Sequence, residues 1–464
     1  SSFPATWTSS PANRQAPAFV ALPGKNSYLF PVLFPDTACR APLPGRRQTY
    51  TDLWPASRGP CTDSKGFTHM FNKMRLLTPG PTPLPERVRL ALARDMIHHR
   101  KSDFHRIMNN VEEKLKLLFG TTEPVMPLAC SGSGAMTAAV YSLFKPGETV
   151  ITVNAGKFGE RWGQIAKSHG LKVVEIVKNW GEAVSAREIE ETIRKTPEAK
   201  GVLIQMSETS TGVLHPIESV AAVTRATDVL LIVDGISGVG LSPCPMDKWG
   251  IDCLLTGSQK GLMVPPGLAF IALSERAWKR CEDIEPGCFY FDLPAERKKL
   301  AKGETHFTTP VNLICGLEES LSMIFENGLD AIYRKQWALT MLCRHSAKAL
   351  GLELLAKDNF AWGVTSILLP DGLDGTKIVK DCADKYGVYM AGGQDQLKGR
   401  IVRVGHMGWV DWADVVAGMY ALNRCIIDRG GFCGSRDFLE QGLAAYRKAL
   451  ELEPGTPVPY QLHD

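Results

Sequence analysis

One short stretch constrains the fold more than any other: Val229-Leu230-Leu231-Ile232-Val233-Asp234, five apolar side chains and then an acid. A strand that is apolar at every position is buried on both faces, which calls for a parallel sheet covered by helices on either side. The flanking sequence agrees. Short apolar runs at Pro124–Cys130, Thr149–Val153, Gly201–Met206, Cys253–Thr256 and Leu268–Ala272 alternate with helical patterns at Glu86–His98, Phe104–Phe119, Ser131–Leu143 and Ser185–Lys195. This alternation predicts an α/β protein with a mostly parallel sheet. After Asn312 a long helical stretch leads into a second lobe, with strands near Gly363–Leu369 and Arg400–Val404 and helices around Lys377 and Trp412–Ile427. Phe438–Leu452 reads as an amphipathic surface helix.

A chain of 464 residues has room for two or three lobes. We expect an extension over 1–73, a large domain over 74–325, a smaller α/β domain over 326–430, and a helix and tail over 431–464. Residues 1–69 hold ten of the thirty prolines and only three acids, Asp36, Asp52 and Asp63. Without apolar periodicity they are expected to form no core. A targeting peptide is the alternative, and Met70 or Met74 would be natural starts for the folded part.

Composition excludes several functions. With 44% hydrophobic and 22% charged residues, this is not a disordered polymer. A net charge of +4 with mixed signs argues for neither nucleic acid nor a membrane surface as partner. No run of apolar residues is long enough to span a bilayer. The twelve cysteines include no C-x-x-C pair and none at metal-ligand spacing with His, so neither a metal site nor an iron–sulfur cluster is expected. Reduced thiols in the cytoplasm are the expectation.

Four features carry chemistry. Lys260, in Thr256-Gly257-Ser258-Gln259-Lys260-Gly261, follows a buried strand directly and sits in a turn of small residues. Desolvation there would lower its pKa, as an amine nucleophile requires; a solvated loop lysine is the plainer reading. Asp234 stands at the carboxyl end of a central strand, where parallel sheets bind ligands. It suits a cationic partner such as a pyridinium nitrogen, or simply a helix cap. Ser131-Gly132-Ser133-Gly134 opens a helix with small residues, a candidate phosphate cup. It lacks the third glycine of a dinucleotide fingerprint, having Thr137 there. Arg403 lies on a second-lobe strand between apolar neighbours and suits a carboxylate, from a substrate or from a structural ion pair.

In this order, the four features resemble fold-type-I pyridoxal-phosphate enzymes. More narrowly, the chain resembles class V aminotransferases of the alanine–glyoxylate and serine–glyoxylate (serine–pyruvate) branch. The matching stretches are Leu77-Thr78-Pro79-Gly80-Pro81-Thr82, Ser131–Gly134, Glu208-Thr209-Ser210-Thr211-Gly212-Val213, Val233-Asp234, Gly257–Lys260 and Pro265-Pro266-Gly267, within residues 75–425. The resemblance implies a seven-stranded sheet, pyridoxal 5'-phosphate as cofactor and a homodimer. It implies transamination from a small amino acid (alanine, serine or aspartate) to a 2-oxo acid such as glyoxylate or pyruvate.

Carried over by position, Lys260 would bond the cofactor aldehyde and later move the proton between Cα and C4′. Asp234 would pair with the pyridine nitrogen. Ile236 and Phe158 would lie on the two ring faces, Phe158 where relatives often have Trp. Ser133, Gly134 and Gln259 would hold the phosphate, with Thr308 reaching it from the neighbouring subunit. Thr209 would lie near the ring 3-hydroxyl. Arg403 would clamp the substrate carboxylate, with Gly80 beside it. Ala135 departs from the His of some animal members. His99-Arg100-Lys101 is a weaker candidate for a pocket edge, and His215 and His406 are read as structural. Two alternatives stay open: a 2-aminoethylphosphonate-type transaminase, which also suits Thr-Pro-Gly-Pro-Thr-Pro, and a non-catalytic partner subunit of the same fold. A cysteine desulfurase is disfavoured, because Gln259 and not His precedes the lysine.

Overall fold

The computed structural model describes residues 73–459 apart from 286 and 433. The expectations for residues 1–69 lie outside the described residues. A seven-stranded sheet forms the centre: β1 (Val125–Leu128), β2 (Thr149–Asn154), β3 (Lys172–Val177), β4 (Ala199–Gln205), β5 (Leu230–Asp234), β6 (Cys253–Gly257) and β7 (Ala269–Leu273). Their order across the sheet is β1-β7-β6-β5-β4-β2-β3. β7 runs antiparallel to both neighbours, and the other pairs are parallel. Every residue of β5, β6 and β7 is buried, as their apolar runs require. β3 is absent from the sequence reading. It is an edge strand whose Lys172 and Glu175 interrupt any apolar run, and only the fold shows that it pairs with β2.

The helices of this part of the chain include α1 (Glu86–Leu92), α2 (Ser102–Phe119), α3 (Gly132–Leu143), α4 (Lys157–Ser168) and α5 (Ala186–Lys195). The pattern predicts that α1 continues to His98, but it stops at Leu92. The Asn312 amide donates to the carbonyls of Leu92 (2.7 Å) and Arg94 (3.2 Å), which satisfies the helix end from outside. α5 starts on a capping box: the Ser185 hydroxyl accepts from the Glu188 N–H, and the Glu188 carboxylate accepts from the Ser185 N–H (2.8 Å).

Two long helices, α6 (Val311–Asn327) and α7 (Leu329–Ala349), lead into a second hydrophobic core. It is built from α7, α8 (Gly375–Tyr386), α9 (Trp412–Asp428) and α10 (Phe438–Glu451). They pack with a small antiparallel sheet of β8 (Val364–Leu368), β9 (Ala391–Gly392) and β10 (Ile401–Gly405), in the order β8-β10-β9. α10, expected as a surface helix, buries Phe438, Gly442, Ala445 and Ala449.

The chain enters between these two cores. Leu77 is buried in the second core; its N–H donates to the Tyr389 carbonyl (2.8 Å) and its carbonyl accepts from Gly405 (2.7 Å). A few residues on, Thr82 donates from its N–H to Gln259 (3.1 Å) and from its hydroxyl to the Lys260 carbonyl (3.1 Å). The entry segment thus bridges the small sheet and the turn after β6.

Candidate active site

Parallel neighbours end together, and the register pairs Asp234 of β5 with Leu255 of β6. Asp234 and the turn that carries Lys260 therefore stand at the same carboxyl edge. The turn is tight: Ser258 donates its hydroxyl to the Pro265 carbonyl (2.7 Å), and the Met263 N–H donates to Lys260 (3.1 Å). The Lys260 side chain is buried and its Nζ donates to the Pro79 carbonyl. Gly80, at φ 104°, makes this approach possible; a Cβ there would lie 2.5 Å from Nζ.

Burial pushes the Lys260 amine down to about 8, opposed by the nearby Asp234 and assisted by the charge of Arg403. Burial pushes Asp234 up to about 7. The Ile236 N–H donates to its Oδ1 (2.8 Å) and acts the other way, Glu208 adds to the rise, and Lys260 and Arg161 oppose it. Both groups thus have a proton affinity near neutrality, as acid–base chemistry at pH 7 requires.

Around this pair the structure gathers most of the residues singled out from the sequence. Ser133 and Gly134 lie in the first turn of α3, whose N-terminus has no side-chain cap. Gly132 lies against Ile236; a Cβ there would meet Ile236 Cδ1 at 2.3 Å and displace that side chain. Ile236 follows Asp234 by two residues. Thr209 donates its hydroxyl to Ser237 (2.8 Å), and its carbonyl accepts from Arg403 NH1 (3.0 Å). Arg403 also donates from Nε to the Gly392 carbonyl (2.9 Å). Its neighbours are carbonyls and not a structural carboxylate. Gln259 has a buried Oε1 with no hydrogen-bond partner. Phe158, half-buried near the start of α4, lies 5.0 Å from the guanidinium of Arg161.

Thr308 stands apart. It is exposed in the loop before α6, lining a small pocket with Ala129, Tyr290, Glu296 and Thr309. In the His99-Arg100-Lys101 stretch, Arg100 pairs with Glu304 (2.8 Å). His215 and His406 are buried, and burial pushes each down to about 3. His215 Nδ1 accepts from Val184 (3.1 Å), and His406 bonds Thr365 (2.9 Å).

Sequence reasoning missed two residues here. Arg161 donates to the Ser133 hydroxyl (3.0 Å) while it covers Phe158. Its spacing of three from Phe158 on a helix was the available signal. Glu208 is fully buried and accepts hydrogen bonds from the start of α4. It opens a stretch already noted, but nothing in the sequence says which way its side chain turns.

A sheet of this order, with an acid and a lysine at adjacent strand ends and a second α/β unit behind them, defines the fold-type-I class of pyridoxal-phosphate enzymes. The class-V aminotransferase profile matches residues 86–406, and the chain belongs to that family. It is 38% identical to a protein of Synechococcus sp. named soluble hydrogenase, small subunit, over 78% of this chain and 95% of that one. It is 34% identical to the serine–glyoxylate aminotransferase of Methylorubrum extorquens, over 80% and 93% of the two chains. Among solved structures, the alanine–glyoxylate aminotransferase of Nostoc sp. superposes with a TM-score of 0.74 at 28% identity, covering 78% of this chain and 97% of that one.

The protein is an aminotransferase with pyridoxal 5'-phosphate as its cofactor. The residues present fit that group. The missing Cβ of Gly80 leaves room beside Lys260, and the α3 N-terminus, without a side-chain cap, presents backbone N–H groups to an anion. Asp234 offers a carboxylate to a cation. Among the described residues, no cluster of His, Cys, Asp or Glu could hold a metal ion, and no helix is long and apolar enough to cross a membrane.

Proposed function

We propose that this protein transfers the amino group of a small amino acid, such as alanine, serine or aspartate, to glyoxylate or pyruvate. The observation that carries the reading is Lys260: a buried amine brought down to about 8, at a strand end beside Asp234, with space made by Gly80. Relatives named for serine–glyoxylate and L-aspartate–glyoxylate transamination, at 34% and 32% identity, support the choice of acceptor.

Bound pyridoxal phosphate supplies an aldehyde for the amino group and a ring that delocalises the electrons left when the Cα proton departs. The protein holds and orients everything else. Ser133, Gly134, Gln259 and the start of α3 would hold the phosphate, and Thr308 would do so from a second copy in a homodimer. Phe158 and Ile236 would hold the ring, and the Thr209 hydroxyl would serve its 3-hydroxyl. Asp234 would hold a proton on the pyridine nitrogen. Arg403 binds the substrate carboxylate with its planar guanidinium. Lys260 Nζ, neutral in a substantial fraction near pH 8, would accept the Cα proton and carry it as the general acid–base of the site. The donor product leaves before the acceptor enters, a ping-pong order. In this reading residues 74–325 form the cofactor domain, residues 326–430 carry Arg403, and the protein works in the cytoplasm.

The test is an absorbance spectrum of the purified protein with pyridoxal phosphate, then with single amino acids. A visible band that disappears with alanine, serine or aspartate and returns with glyoxylate or pyruvate is expected; the fastest donor names the substrate. Absence of a band at saturating cofactor would reject the transaminase and leave a non-catalytic partner subunit, a role in keeping with the hydrogenase-subunit name of the Synechococcus relative.

A further inference from the structure

Glu208 is a fully buried carboxyl in the middle of the molecule, in the short hairpin strand Ser207–Glu208. Its Oε2 accepts from the backbone N–H groups of Phe158 (3.1 Å) and Gly159 (3.0 Å) and from the Gln205 amide (3.0 Å). Its Oε1 accepts from the N–H (3.1 Å) and the hydroxyl (2.5 Å) of Ser210. All five partners donate in this arrangement. A carboxylate, which only accepts, can meet them all, whereas an amide of the same shape would turn its NH2 towards donors on one side or the other. Two of the donors belong to the first turn of α4, where the helix dipole also favours an anion.

The next residue extends the reach of this anchor. Thr209 accepts from Arg403 NH1 at its carbonyl (3.0 Å) and donates its hydroxyl to Ser237, the neighbour of Ile236. Ser210 in turn accepts from the Lys157 N–H (3.1 Å), which binds the same segment to α4 a second time. Consecutive Cα atoms are about 3.8 Å apart, so Glu208 cannot shift without carrying Thr209 with it.

We propose that Glu208 is a positioning residue for both halves of the site: it fixes the Phe158 ring through the start of α4 and the Arg403 guanidinium through Thr209. This rests on the transaminase reading above, in which Phe158 faces the cofactor and Arg403 faces the substrate. Glu208 touches neither ligand; it sets the separation between the residues that do.

The experiment compares wild type, Glu208→Gln and Glu208→Asp, each loaded with pyridoxal phosphate. Three quantities are read: visible circular dichroism per bound cofactor, KM and kcat for the donor found above, and the melting midpoint without cofactor. Burial raises the Glu208 proton affinity and the hydrogen bonds from Ser210, Gly159 and Phe158 oppose it; an amide in its place mismatches those donors and should raise the donor KM about tenfold and reduce the dichroism by about half. Glu208→Asp keeps the charge with a shorter reach and should fall between Glu208→Gln and wild type. A melting midpoint that drops while KM and dichroism stay within about twofold of wild type makes Glu208 a fold residue only and overturns the proposal. If Glu208→Gln does not fold, Glu208→Asp decides alone: wild-type KM and dichroism overturn the proposal, and altered values support it. If wild type itself shows no cofactor band, the transaminase reading fails and the proposal with it. A normal wild-type band with unaffected variants rejects the proposal alone.

Discussion

Strand β5 meets a buried acid at each end, its own Asp234 at the carboxyl end and Asp252, the residue before β6, at the amino end, and the fold treats the two in opposite ways. At the amino end, Asp252 accepts from the Leu231 N–H (2.8 Å), the Ser274 hydroxyl (2.9 Å) and Arg276 through Nε (2.9 Å) and NH2 (2.5 Å). At the carboxyl end, Asp234 accepts from the Ile236 N–H and meets Lys260 and Arg161 only through space. Exposure does not separate them, at 3% and 4%. Partners do. The saturated acid braces strand ends that nothing else visits. Asp234 keeps capacity for a ligand, and burial, opposed by one backbone hydrogen bond, raises its proton affinity.

Substitution should break the molecule differently at the two ends. If Lys260 is the nucleophile and Asp234 the ring partner, as proposed, Lys260→Ala should reduce transamination by at least about a thousandfold and Asp234→Asn by about a hundredfold. Neither should lower the melting midpoint. Turnover per folded protein, measured beside thermal unfolding, checks both. Asp252→Ala should do the reverse: about 2–3 kcal/mol of stability lost, reduced from the fully buried case because Arg276 reaches solvent, with turnover per folded protein unchanged. An Asp252→Ala protein that melts normally and turns over slowly would erase the distinction.

This division explains how much of the site could be read in the sequence. Asp234 and Lys260 were legible because each follows an uninterrupted apolar strand, and a parallel sheet brings such ends together whatever the details. Ser133 and Gly134 were legible as a small-residue helix start. The β3 edge strand and the true end of α1 were not, because pairing with β2 and capping by Asn312, 220 residues away, are supplied by distant parts of the chain. Arg161 and Glu208 escaped for the same reason. A charged residue on a helix or in a hairpin reads as solvated until the fold shows what it faces.

Arg403 refines the comparison, since it reaches the same edge from the second core. Arg403→Lys keeps the charge and loses the planar fork held against the Thr209 and Gly392 carbonyls. KM for the amino donor should rise about ten- to a hundredfold, with kcat falling less, because the proposed contact to the carboxylate would exist before and during the reaction. Steady-state kinetics at saturating acceptor separates the two. An equal fall in kcat with unchanged KM would assign Arg403 to holding the fold and not the substrate.

The last comparison lies in stability against pH, where Asp234 and Lys260, at the same edge, act with opposite sign. In the cofactor-free protein, burial raises Asp234 from 3.8 to about 7. Between those values the folded chain holds a proton that the unfolded chain has released. Stability from this group is therefore full below 3.8 and lost as pH rises through about 7. Lys260 has the opposite slope above that window. Its folded value of about 8 lies below 10.5, so the unfolded chain holds the extra proton and stability rises with pH between them. Together the pair should leave a minimum of stability between about pH 7 and 8. Asp234→Asn removes the first slope, and without its anion Lys260 should start the second at lower pH. The cofactor-free variant should then melt higher than wild type near pH 7.5 and at about the same temperature near pH 4. Asp252→Asn should melt lower than wild type at both, because its charge is already spoken for by Arg276. Melting curves at the two pH values check this, and an Asp234→Asn protein less stable than wild type near pH 7.5 would mean that Asp234 is as well partnered as Asp252.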